Sequence, residues 1–200
     1  LSNKSLDATC SLDGNAATST TAGAIADGAV STTAKIADNI ITPAKLTQKI
    51  TLATSASGSG ASVDFTSIPN WVKKISVMLR AVSLTGSGTV QIRIGSGGAV
   101  VTTGYDQVKT AYGNAPSIAH TASTGSIAEV SLSTAGSICD AVATLTNLTG
   151  NQWMATLIGY RSSDAISTTS VGHVSLAGVL DILSVVASAG TLDAGTINII

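Results

Sequence analysis

Charge is scarce in this sequence. Lysine and arginine number ten, aspartate and glutamate eleven, in 200 residues, a formal net charge of −1. Such a surface offers no electrostatic footprint for nucleic acid phosphates or anionic lipid, so neither is expected as a partner. Glutamate is almost missing: Glu129 is the sole example and the other acids are aspartates, which favour turns over helix interiors. Without Glu, Lys and Arg in quantity, helices would lack their usual polar surface. Aromatics are limited to two Trp, three Tyr and one Phe. The two cysteines, Cys10 and Cys139, cannot make a disulfide framework and read as free structural thiols. Long apolar runs are absent as well. The most apolar stretch, 174–190, is interrupted by Asp181, three serines and two glycines, and a span needs about 20 mainly apolar residues, so membrane insertion is not expected. Residues 1–28 show no basic, apolar, small-residue order of a signal peptide.

What is present is Gly, Ser, Thr, Ala and Val, with 44% apolar residues, enough for a core. That composition points to an all-β chain. The first fifty residues contain no aromatic and only scattered large aliphatics, too few to bury a core alone. They are nevertheless patterned. Ile25-Ala-Asp-Gly-Ala-Val-Ser-Thr-Thr-Ala-Lys35 is followed by Ile36-Ala-Asp-Asn-Ile-Ile-Thr-Pro-Ala-Lys45, an internal repeat of a turn plus a short strand. One aliphatic stripe with no second layer needs other copies of the chain to cover it. Three chains about one axis would place Ile25, Val30, Ile36 and Ile41 in the middle, giving an intertwined trimeric shaft over residues 1–50.

Residues 51–60, rich in Ser and Gly, read as a linker, and the period becomes two beyond them. Ile75, Val77, Leu79 and Ala81 share one face of a strand over 74–84; Thr85-Gly-Ser-Gly88 then turns the chain into Val90, Ile92 and Ile94, which predicts a hairpin. A second hairpin is predicted around Asn147–Asn151, with Trp153, Ala155 and Leu157 on one face. Further strands are expected near 61–66, 128–133, 171–176, 180–186 and 196–200. Eight or nine short strands over 61–200 predict an antiparallel β-sandwich head, jelly-roll-like in character.

Several segments resemble the C-terminal regions of bacteriophage tail fibres: Leu12-Asp-Gly-Asn-Ala-Ala-Thr18, the Ile-Ala-Asp repeats with Thr42-Pro-Ala-Lys-Leu46, the block Val63-Asp-Phe-Thr-Ser-Ile-Pro-Asn-Trp-Val-Lys-Lys-Ile-Ser-Val77, and Leu192-Asp-Ala-Gly-Thr-Ile-Asn-Ile199. The resemblance spans nearly the whole chain. It implies a homotrimer, a location in the virion beside upstream fibre or other virion proteins, and attachment to a host surface glycan or protein receptor. A head fibre or capsid decoration protein is the alternative, since either role needs trimerisation.

No catalytic residue, metal or cofactor is expected. There is no G-x-S-x-G elbow, no H-E-x-x-H and no paired-cysteine spacing. Gly95-Ser-Gly-Gly98 lacks the last glycine of a dinucleotide fingerprint. His120 and His173 read as exposed or hydrogen-bonded residues rather than ligands. A glycan-cleaving tailspike needs two carboxylates converging in a cleft, and the acids here stand singly. Receptor contact favours loop aromatics, amides and charged groups. The loop-rich stretches 95–116 and 160–169 supply Tyr112, Asn114 and Arg161 as candidate contacts, with Tyr105, Asp106 and Asp164 beside them. Trp71 and Trp153 are expected as core or trimer-interface anchors.

Overall fold

The structure, a computed structural model, describes residues 51–113 and 118–200. The shaft repeats, with Ile25, Val30, Ile36, Ile41 and Cys10, lie outside the described residues, as does Asn114. The described chain is all-β. Its strands are β1 (Ala56–Ser57), β2 (Ser62–Thr66), β3 (Lys74–Leu84), β4 (Gly88–Ser96), β5 (Ala99–Val100), β6 (Asp106–Tyr112), β7 (Ile118–Ser123), β8 (Ala128–Leu132), β9 (Cys139–Thr149), β10 (Gln152–Arg161), β11 (Ile166–Ser175), β12 (Ile182–Ala187) and β13 (Leu192–Ile199).

They form two antiparallel sheets. A large one of eight strands runs β1-β13-β3-β9-β10-β11-β6-β7, and a small one of five has the order β2-β12-β4, with β8 and β5 on the far edge of β4. The period of two explains the layering. On β10, Trp153, Ala155 and Leu157 are buried while Met154, Thr156, Ile158 and Tyr160 face the other way. Val90, Ile92 and Ile94 of the small sheet join Val77, Leu145 and Leu157 of the large one in a single buried cluster. Each fully buried aliphatic of this kind contributes about 1.5–3 kcal/mol. On strand β12, paired on either side with β2 and β4, Leu183 and Val185 join that core, while Ile182, Ser184 and Val186 on the alternate face are buried as well.

The hairpin expected at Asn147–Asn151 forms, with β9 and β10 paired along their length and Asn147 donating its amide hydrogens to the carbonyls of Gly150 and Gln152. The one expected at Thr85–Gly88 does not. Strand β3 belongs to the large sheet and β4 to the small one, so this turn is a corner between sheets. The cause lies just upstream, where the register of β3 against β9 slips between Leu79 and Val82. Ala81 there takes a φ of 52°, and Asp140 accepts a hydrogen bond from its amide at 2.8 Å. Opposite it Gly195, at φ 94°, lies so close that a Cβ would fall 2.5 Å from the Ala81 carbonyl oxygen, a place only glycine fills. The bulge turns Ala81 outward, against expectation, and leaves Val82, Ser83 and Leu84 all buried as the chain crosses to the other layer.

Residues 51–60 are not a free linker. β1 pairs with β13, and backbone hydrogen bonds from Ala53, Gly58 and Gly60 continue the contact along that strand to Leu192. The edge of β13 would otherwise expose unpaired backbone groups. Within 95–113 the chain is likewise built into strands rather than a loop, since β6 pairs with both β11 and β7.

Candidate functional site

Antiparallel register stacks the outward side chains of the large sheet into rows. The first row is Tyr112, Ser167, Tyr160 and Asp140; the second is Thr110, Thr169, Ile158, Val142 and Met78. The last, at the opposite end, is Asp106, His173, Met154, Thr146 and Lys74. Charges thus stand at the ends of rows while hydroxyls and exposed aliphatics fill the middle. Ile158 is 71% exposed and its register partner Val142 52%, high values for neighbouring aliphatics on one face.

An open depression of about 580 Å³ lies at the Asp106 end of this face. Its apolar part comes from Val108, Met154 and Val171, and its polar part includes Asp106, Thr124 and His173. Strand pairing assembles it: β6 brings Asp106 and Val108 beside His173 and Val171 of β11, and β10 brings Met154 beside His173. The His173 Nδ1 lies 3.7 Å from the Asp106 carboxylate. Both groups are substantially exposed, so they can meet a ligand without a prior opening step.

Of the expected contacts, Tyr112 stands on this face, half exposed, with Tyr160 on the other side of Ser167. It is carried by β6 rather than by a loop, a firmer mount than expected. Arg161 has a different role from the expected open contact. It is only 7% exposed, its Nε and NH2 groups fork onto Asp164 at 2.6 and 2.5 Å, and its NH1 donates to the Ser131 carbonyl at 2.8 Å. A guanidinium so committed fastens β10 to β8 and has little left for a receptor. The Arg161 hydrogen bonds hold the Asp164 carboxyl below the usual aspartate range, against a smaller upward push from burial.

Tyr105 is fully buried, its hydroxyl accepting from the Ile94 amide and reaching the Ile94 and Val101 carbonyls. Burial pushes its phenol up to about 12. Trp153 is a core anchor and Trp71 is half buried. Cys139 is a free, buried thiol pushed up to about 12 by burial and then by Asp140, hence unreactive. Among the described residues no three His, Cys, Asp or Glu side chains gather to hold a metal, and no helix is long and apolar enough to cross a membrane.

No family model, curated protein or solved structure matches the chain. The pairing of Asp106 with His173 is not visible in the sequence, because the glycines of 95–104 give the stretch before β6 the look of a loop. The signal available was Ile158, an apolar residue that alternation places with Gln152, Met154, Thr156 and Tyr160 on the face of β10 opposite Trp153, Ala155 and Leu157.

Proposed function

We propose that the chain is the distal part of a bacteriophage tail fibre, a homotrimer whose β-sandwich head attaches the virion to the host surface without altering the receptor. The observation that carries the proposed ligand class is the depression with Val108, Met154 and Val171 as floor and Asp106, Thr124 and His173 as polar groups. Sugar rings present an apolar C–H face and a rim of hydroxyls, and a floor of this kind with carboxylate, hydroxyl and imidazole around it complements both. Tyr112 and Tyr160, further along the same face, extend the contact with rigid amphipathic rings. The virion assignment rests on the tail fibre motifs, above all the blocks 63–77 and 192–199.

A shallow site gives weak single contacts. Three copies presented together convert them into firm attachment, because the second and third binding events become intramolecular. Purified full chain, trimeric by light scattering, should bind cells of a susceptible host and an array of immobilised bacterial surface polysaccharides, and should compete with phage adsorption. Release of oligosaccharides from those polysaccharides would replace the proposal with an enzyme, and failure of a verified trimer to bind any susceptible cell would point to the capsid or another purely structural place.

A further inference from the structure

Gly125, in the connection between β7 and β8, borders a small notch beside the depression. Chain neighbours aside, a Cβ placed on this glycine would meet nothing nearer than Ser123 Oγ at 3.9 Å and Arg93 NH2 and Gln91 Nε2 at 4.0 Å each. All three atoms are hydrogen-bond donors, and each carries a hydrogen beyond the bond it makes within this group. Arg93 NH2 spends one on Gln91 Oε1 at 2.9 Å, and Gln91 Nε2 spends one on Glu129 Oε2 at 3.0 Å. Ser123 Oγ accepts from the Gly125 amide at 3.2 Å, a bond that does not use its own hydrogen.

The donors are held in place. Gln91 is only 8% exposed, and its amide is oriented from both ends, since a guanidinium can only donate and a carboxylate only accept. Arg93 is anchored a second time through Nε, which donates to the Gly125 carbonyl at 2.8 Å. Charge points the same way as geometry. The Glu129 carboxylate is matched by Lys109 at 2.7 Å, while Asp164 stands with Arg161 and Asp106 with His173, so among the described residues Arg93 has no ion pair. A half-buried guanidinium without a carboxylate costs the fold free energy that a bound anion would return.

We propose that Arg93, Gln91 and Ser123 form a binding site for an oxyanion, a carboxylate or phosphate group, one oxygen of which enters the notch beside Gly125. Donors already fixed around one point bind an anion with little ordering cost, and the guanidinium makes the bonds charge-assisted. Glycine is needed at 125 because any side chain would fill the space the oxygen takes. Ser123 and Thr124 also line the depression, so the anion arrives either as the acidic substituent of a saccharide lying there or as free phosphate. The site stands on its own donors and does not depend on the receptor reading.

Gly125→Ala tests it with little disturbance. Gly125 lies outside the left-handed region, and the added Cβ would sit at ordinary van der Waals distance from its neighbours, so the variant should fold while filling the notch. In calorimetric titrations of the full chain, with ionic strength held by chloride, inorganic phosphate or glucuronate should bind saturably to wild type. Gly125→Ala should weaken that binding by about tenfold or more, the worth of a hydrogen bond to a charged group. Ser123→Ala, which removes one donor and leaves both Arg93 anchors, should weaken it less and serves if the alanine at 125 prevents folding. Glucuronate bound in preference to phosphate supports a sugar acid as the ligand, and the reverse preference supports phosphate. Absence of saturable binding of either anion to folded wild type overturns the proposal, as does binding that both substitutions leave unchanged. Cell attachment by Gly125→Ala is a separate readout: attachment kept while anion binding is lost supports the site and leaves the receptor reading untouched.

Discussion

The two faces of the large sheet are made by the same strands from the same few residue types, yet their surroundings are opposite. On β10 the inward residues Ala155 and Leu157 are fully buried, while outward Ile158 is 71% exposed. On β6 the contrast runs the other way in polarity: outward Val108 is 46% exposed, whereas inward Lys109 is 6% exposed and paired with Glu129. Hydrophobicity of a single residue therefore does not say which way it faces. Alternation assigns residues to two sets, and the topology decides which set meets the second sheet. In this fold β8 covers the inner side of the large sheet through Lys109–Glu129, Arg161–Ser131 and the bond from the Glu129 amide to Ser170 Oγ.

The sharpest way to break the comparison is to cut the same amount from each face of one strand. Leu157→Ala removes atoms from the shared core and should cost about 2–5 kcal/mol, part transfer and part cavity. Ile158→Ala removes a similar side chain from an exposed position and should stay within about 0.5 kcal/mol. Urea denaturation of both variants measures the difference. Similar losses for the two would mean that the outer face is covered in solution, which a trimer contact through Ile158 and Val142 would produce.

A middle-sized effect is expected where the faces are fastened together. Arg161→Ala strands the Ser131 carbonyl and frees Asp164, a loss of about 1–3 kcal/mol. The pH dependence has a definite sign. The folded Asp164 carboxyl lies below its ordinary range because of Arg161, so its contribution is present above the ordinary aspartate pKa and fades as pH falls through the lowered folded value. Melting temperatures of wild type and Asp164→Asn should thus converge on acidification; a gap that stays constant below the aspartate range would mean that charge is not what the pair contributes.

These residues also mark where the sequence was legible. The β9–β10 hairpin was readable because Trp153, Ala155 and Leu157 alternate beside a turn that Asn147 closes locally. The corner after β3 was not, since a glycine-rich turn between alternating segments suits a hairpin and a change of sheet equally well. What decides between them is the contact of Ala81 with Gly195 and Asp140, all distant in sequence. The same holds for the site. Tyr112 was found from its own chemistry, whereas Asp106 and His173 become a pair only when β6 lies beside β11. Arg161 and Lys109 look like surface residues in a sequence, and burial became possible only through partners on β8 and in the turn before β11.

The smallest expected change in stability carries the most functional information. Asp106 and His173 are exposed and their Nδ1 to carboxylate separation of 3.7 Å is looser than a good hydrogen bond, so a pair of this kind contributes at most about 1 kcal/mol to folding. Asp106→Asn keeps shape and polarity, and His173→Ala opens the rim of the depression without touching its floor. Both variants should melt close to wild type. If the depression is the receptor contact, each should weaken cell binding by about tenfold, as loss of one hydrogen bond to a charged group does, and the loss should be multiplied in a trimer because all three copies carry it. Binding that survives both substitutions but falls on Tyr112→Ala would move the contact to the tyrosine end of the face, around Ser167. Unchanged binding in all three variants would remove the outer face of the large sheet from receptor recognition altogether.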